Sequence, residues 1–121
     1  MTDPARTHGA LARGVFAVVV LVSLAVLFAP GSDVPSAPPG VDKLVHGGLF
    51  AALALSGRWA GIGRTPLAVL LVLYAAASEL LQGIPALDRD PAVGDWAADV
   101  VGVLIGSLVW AAGARRTRIR S

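Results

Sequence analysis

Four apolar runs, each about 16 to 20 residues long, divide the chain, and the breaks between them are rich in Pro, Gly and charge. A run of that length makes about 24 to 30 Å of helix at 1.5 Å per residue, close to the roughly 30 Å hydrocarbon core of a bilayer. Of the 121 residues, 55% are hydrophobic and 15% charged, against roughly 45 to 50% and 25% in an ordinary soluble domain. Mean hydropathy is +0.72. So little polar surface cannot cover a globule, which excludes a water-soluble enzyme and leaves one small membrane domain. The expected architecture is all-α, a four-helix transmembrane bundle. There is no cysteine, which removes disulfides, thiolate metal sites, haem attachment and cysteine nucleophiles together.

The runs predict helices over about 11–29, 42–59, 66–84 and 95–113. The first reads as an uncleaved anchor rather than a signal peptide, because Pro30 follows it and Leu27 stands where cleavage needs a small residue. From Pro30 to Gly40 the sequence PGSDVPSAPPG has no apolar stripe and reads as an exposed loop. A short basic turn holding Gly57, Arg58, Gly61, Gly63 and Arg64 separates the second and third runs. Pro66 suits a first helical turn, and Pro85 stops the third run. Internal repeats and heptads are absent from the sequence.

Charge is distributed unevenly among these breaks. Arg6, Arg13, Arg58, Arg64, Arg115, Arg116, Arg118 and Arg120 flank one set of helix ends, whereas only Lys43 and Arg89 lie in the other two connections, with Asp33, Asp42, Asp88, Asp90 and Asp95. Basic residues flanking apolar spans mark the cytoplasmic side. Both termini are therefore expected in the cytoplasm and the loops 30–41 and 85–94 outside, in a bacterial cell membrane. The basic tail follows a span directly and lacks interleaved aromatics, so nucleic acid is not an expected partner. Trp59, Trp96 and Trp110 read as interfacial anchors.

This topology brings the polar residues inside the runs to a common depth. The second helix begins outside, the third ends outside and the fourth begins outside, so Asp42, Lys43, His46, Glu79, Gln82, Asp95 and Asp99 share one level, with Arg89 in the loop above. Asp42 and His46 are spaced i, i+4, and Glu79 and Gln82 i, i+3. Asp95, Asp99, Gly102 and Gly106 follow i, i+4, i+7, i+11, which puts each set on one helix face. Ionisable groups at membrane depth cost about 2.5 to 3.5 kcal/mol each on insertion scales and normally face a bundle interior, where they pair. These eight residues are the candidate ligand-binding set. Within it, His46, Glu79, Asp95 and Asp99 are the candidates for any catalysis. Plainer roles compete: Asp42 and Asp95 as N-caps, Lys43 as a snorkelling side chain, His46 as a satisfied structural residue, and Gly102 with Gly106 as a GxxxG helix-packing motif.

Taken together, Asp42-Lys43-x-x-His46 with Phe50 behind it, Glu79-Leu80-Leu81-Gln82, Arg89 with Asp95 six residues later, and Gly102 with Gly106 resemble the VanZ-like family of small bacterial membrane proteins. The resemblance covers roughly residues 42 to 106. Family members typically carry Asn where this chain has Asp99, and the loop tip Leu87-Asp88-Arg89-Asp90 lacks the usual Gly before the Arg. The resemblance implies a place in the cell envelope and, through the founding member, reduced susceptibility to the glycopeptide antibiotic teicoplanin. It supplies no reaction.

Three functions fit these residues. The first is a protein whose outward polar pocket binds a lipid head group or lipid-linked envelope precursor, with Arg89 and Lys43 on phosphate and Gln82 and His46 giving hydrogen bonds. The second is an intramembrane hydrolase or transferase with His46 or Glu79 as general base. The third is a proton-coupled transporter with Glu79 as carrier, for which four helices would need a homo-oligomer. No HxxxH or HExxH spacing occurs, so neither a metal nor another cofactor is expected.

Overall fold

The computed structural model describes residues 9–28, 40–82 and 93–120, with 42, 82, 93–95 and 114–120 described in their backbone alone. Those residues form four helices: α1 (Ala10–Phe28), α2 (Val41–Trp59), α3 (Arg64–Gln82) and α4 (Val93–Arg120). The described residues contain no strand. The all-α, four-helix architecture expected from the apolar runs is the architecture found.

Residue pairs along the seam between α2 and α4 advance together: His46 meets Asp99, Gly47 meets Gly102, Ala51 meets Gly106 and Arg58 meets Trp110. These two helices are therefore parallel, and they share the broadest contact in the bundle. Phe16 of α1 and Leu67 of α3 both approach Gly57, so the last turns of α2 lie beside the first turns of its other neighbours. The chain thus runs up, down, up and down, and α2 touches each of the other three helices. Phe50, Leu53 and Ala54 of α2 join Leu27, Leu67, Leu71, Ala75 and Val103 in the core.

Glycine makes the α2–α4 seam possible. A methyl group on Gly102 would collide with the Gly47 carbonyl oxygen, and one on Gly106 would lie 2.6 Å from the Ala51 oxygen and 2.8 Å from the Ala54 Cβ. Backbones this close gain dispersion contacts and suit Cα–H···O interactions, the main attractions left to helices in an apolar solvent.

At the opposite end from His46, α2 finishes in a Schellman motif. Gly61 has φ +99°, its N–H donates to the Arg58 carbonyl at 3.0 Å, and the Ile62 N–H donates to the Gly57 carbonyl at 3.0 Å. The Arg58 Nη1 donates to the Ile62 carbonyl at 3.0 Å, while its guanidinium carbon lies 5.9 Å from the centre of the Trp110 ring. Helix α3 starts at once, its first i to i−4 bond running from the Leu67 N–H to the Gly63 carbonyl at 3.0 Å. Pro66, lacking an N–H, is third in α3, where no donor is required.

Several helix limits differ from those expected. Helix α1 begins one residue earlier than expected, α2 one earlier, and α3 two earlier. Helix α4 begins two residues earlier and continues past Gly113 to Arg120. Gly113 is absent from the positive-φ glycines, and the ARRTRIR that follows contains no proline, so nothing in the sequence stops the helix there. Neither candidate cap is at an N-cap. Gly40 occupies that position for α2 without a side-chain bond, leaving Asp42 second in the helix, and Asp95 is third in α4. A carboxylate in a first turn still favours the helix dipole.

The outside of the bundle is apolar. Leu21, Leu70, Leu73, Leu80, Leu104 and Leu108 are all exposed, whereas Ser23, His46, Ser78, Glu79 and Asp99 are buried. A helix bundle in water would show the reverse. Three helices, within Ala10–Phe28, Arg64–Leu81 and Trp96–Gly113, are long and apolar enough to cross a membrane. Four were expected. Helix α2 falls outside that group because it carries Asp42, Lys43, His46 and Arg58 among its 19 residues.

Gly102→Ala is expected to destabilise the bundle by about 1 to 3 kcal/mol, since the added methyl meets a backbone carbonyl that cannot rotate aside. Gly113→Ala and Gly48→Ala, where a methyl meets open space, should unfold at the wild-type midpoint or slightly above it. Denaturation in mixed micelles followed by circular dichroism measures all three.

Candidate functional site

One turn before the glycine contacts, α2 and α4 each present an ionisable residue to the other. His46 precedes Gly47, which itself approaches the Ala98 carbonyl, and Asp99 follows Ala98. With the backbones this close, two short side chains meet directly: His46 Nδ1 lies 2.8 Å from Asp99 Oδ1. His46 is 1% exposed and Asp99 0%. Phe50, also fully buried, lies one turn beyond His46, and its ring centre is 5.6 Å from that of Tyr74 on α3.

Glu79 is placed by α3. It is the fourth residue from the end of that helix and is 9% exposed, so it is turned into the bundle rather than outward. The antiparallel course of α2 and α3 brings it to the same end as His46 and Asp99. Ser78 beside it is fully buried and donates to the Ala75 carbonyl at 2.9 Å, its own helix taking up its polarity. Lys43 is exposed on the first turn of α2. Asp42, Gln82 and Asp95 have their backbones at this end, but their side chains lie outside the described residues, as does all of Arg89. The structure thus brings His46 and Asp99 into contact and buries Glu79 at the same end. Gly102 and Gly106 pack against the backbone of α2.

Two further polar contacts escaped the reading of the sequence. Ser23 of α1 donates to the Val20 carbonyl at 2.7 Å, and its Oγ lies 2.9 Å from the Tyr74 hydroxyl. Because the serine hydrogen is committed to Val20, the tyrosine is the donor. This bond ties α1 to α3. Its signal was a single serine in an otherwise apolar run and the only tyrosine of the chain. The second is Arg58 over Trp110, two residues assigned separate interfacial roles although the topology put them at the same end.

Chemically, a histidine held at Nδ1 by a carboxylate has a fixed ring orientation and a defined direction for Nε2. That arrangement serves hydrogen bonding, proton transfer or helix registry. Among the described residues no group of three His, Asp or Glu side chains is arranged to hold a metal ion.

A double-mutant cycle on His46 and Asp99 should give a coupling of about 1 to 3 kcal/mol. His46→Leu alone leaves a buried carboxylate without its histidine, and Asp99→Leu alone leaves the imidazole without its carboxylate. The double variant removes both polar groups and should be more stable than the sum of the single losses allows. Additive losses, read from the same denaturation midpoints, would mean that the contact contributes nothing to stability.

No protein-family model matches the chain, and neither a curated protein nor a solved structure does.

Proposed function

We propose that the protein is a multi-pass component of the bacterial cytoplasmic membrane that binds a lipid head group or lipid-linked envelope precursor at a polar pocket opening outward. The observation that carries this reading is the burial of His46, Asp99 and Glu79 at one end of a bundle whose exterior is apolar. Residues that would be costly in hydrocarbon are gathered where three helix ends meet, and a pocket that receives a charged head group has a use for them. Lys43 stands exposed on the first turn of α2 at the same end, as a cation meeting phosphate should. Arg89, in the connection from α3 to α4, is the second cation of the proposed site. The VanZ-like resemblance adds the envelope context and an effect on teicoplanin-type susceptibility.

A second reading, an intramembrane hydrolase or transferase, draws on the same His46–Asp99 contact, since a carboxylate-oriented imidazole is the usual form of a general base. The two readings part on which residues tolerate conservative change. Head-group binding requires the cation, so Arg89→Ala should strip co-purifying phospholipid or precursor from the protein and abolish its effect on antibiotic tolerance. Glu79→Gln keeps the hydrogen-bonding shape and should retain part of both. Near-complete loss in Glu79→Gln at normal membrane abundance, with ample activity left in Arg89→Ala, rejects binding in favour of proton-transfer chemistry.

The orientation rests on eight basic residues at one set of helix ends against two at the other. Single cysteines at Ser36 or Asp88 should react with an impermeant reagent in intact cells, and at Ile62 or Arg118 only after lysis. The opposite pattern inverts the protein and removes the outward pocket.

A further inference from the structure

The end of the bundle opposite His46 carries charge of one sign. Arg13 precedes by one turn the Phe16 ring that reaches Gly57, so it lies at the level of the α2–α3 turn, exposed on α1. Arg64 opens α3 and is exposed too. Arg58, half-buried on α2, donates to the Ile62 carbonyl and lies over the Trp110 ring. Three helices thus each bring one arginine to this end. The sequence offsets none of them locally, because Asp and Glu are absent from α1, from Gly57 to Ser78 and from Val100 to Ser121.

Helix α4 reaches further out here than its neighbours. Arg58 and Trp110 stand at one level, yet α2 ends at Trp59 while α4 continues to Arg120. At 1.5 Å per residue the α4 backbone rises about 15 Å beyond Trp110. Tryptophan settles at the boundary between hydrocarbon and head groups. A bilayer about 40 to 45 Å thick with a core of about 30 Å leaves about 5 to 8 Å of head groups on each side. Positions 115 and 116, about 8 and 9 Å along the axis from Trp110, therefore reach the outer edge of that layer. Positions 118 and 120, at about 12 and 15 Å, stand in water roughly a Debye length from the phosphates. The sequence has arginine at all four. Had the helix ended at Gly113, nothing would hold these positions at successive depths. A guanidinium matches the geometry of phosphate oxygens, and basic clusters that directly follow a span attract lipids with a net negative head group.

We infer that this end of the bundle binds anionic phospholipids, with Arg13, Arg64 and the α4 arginines at 115, 116, 118 and 120 as the contact set and the Arg58–Trp110 contact fixing the base of the α4 extension. Zwitterionic phospholipid presents the same phosphate beside its own ammonium group and is the weaker ligand. The inference is independent of the head-group reading of the His46 end, which concerns the opposite leaflet and the cations Lys43 and Arg89.

The test reconstitutes the full chain in phosphatidylcholine bilayers holding a trace of spin-labelled phosphatidylglycerol or spin-labelled phosphatidylcholine. Electron paramagnetic resonance then measures how much of each label is immobilised at the protein. Phosphatidylglycerol should be favoured about fivefold or more at low salt, the preference that one basic residue near the surface supplies. The preference should collapse near 1 M salt, where the Debye length falls to about 3 Å. Replacing Arg115, Arg116, Arg118 and Arg120 together by Gln, which keeps helix propensity, should remove most of it, and Arg64→Gln should reduce it. Lys43→Gln with Arg89→Gln should leave it unchanged. Circular dichroism in the same bilayers checks that each variant keeps its helices. Equal immobilisation of the two labels by the wild type overturns the inference. So does a preference that survives the quadruple replacement and disappears with Lys43→Gln and Arg89→Gln, which would assign the lipid to the His46 end and leave the head-group reading standing.

Discussion

The approach of α4 to α2 governs most of what is distinctive in this bundle. Where Gly102 and Gly106 meet Gly47 and Ala51, carbonyl oxygens occupy the space a side chain would fill. Each helix therefore presses backbone against backbone, and the separation is set by hard contact rather than by adaptable side chains. Residues one turn away are brought equally close. An imidazole and an aspartate have little reach, and they bond directly across the seam because the glycines beside them have removed the intervening volume. The polar site and the packing motif are thus two consequences of one distance.

The rest of the molecule is arranged around that pair with a reversed polarity. Polar groups turned inward find partners on helices that hydrocarbon cannot supply: Tyr74 with Ser23, Ser56 with the Ala52 carbonyl at 2.7 Å, and Ser78 with that of Ala75. Leucine and valine turned outward meet an environment as apolar as themselves. The association of α1 with α3 accordingly depends on one specific hydrogen bond and on shape, because burying more leucine gains little in such a solvent.

The number of helices, their order and the common depth of His46, Glu79 and Asp99 were legible because hydropathy and helical spacing are local properties of the chain. So was the glycine stripe of α4. What the sequence concealed depends on tertiary distance. Spacing put His46 and the carboxylates on inward faces but could not say which of them shared a seam, and the choice fell to Asp99 because α2 and α4 are the parallel, glycine-packed pair. Asp42 and Asp95 look like caps by residue type, yet the helices start one and two residues before them, because Gly40 opens α2 and α4 takes in Val93 and Gly94. Gly113 reads as a terminator only where the chain adopts a positive φ, and Gly61 shows what that looks like when it happens.

The composition of α2 bears on the order in which such a protein is assembled. It is the helix packed most broadly against the others, and it is also the one too polar to rank with the membrane-crossing segments. A nascent α2 would leave the ribosome with His46 uncovered, and the helix that supplies its partner Asp99, α4, is made last. During synthesis of the roughly 35 intervening residues, at about 5 to 20 residues per second, α2 has to wait for several seconds at the insertion machinery or at the bilayer surface, with α1 and α3 as its available neighbours. Substitutions that make α2 more apolar would shorten that wait and weaken the site together, so the polar pair sets a limit on how readily the chain can be inserted.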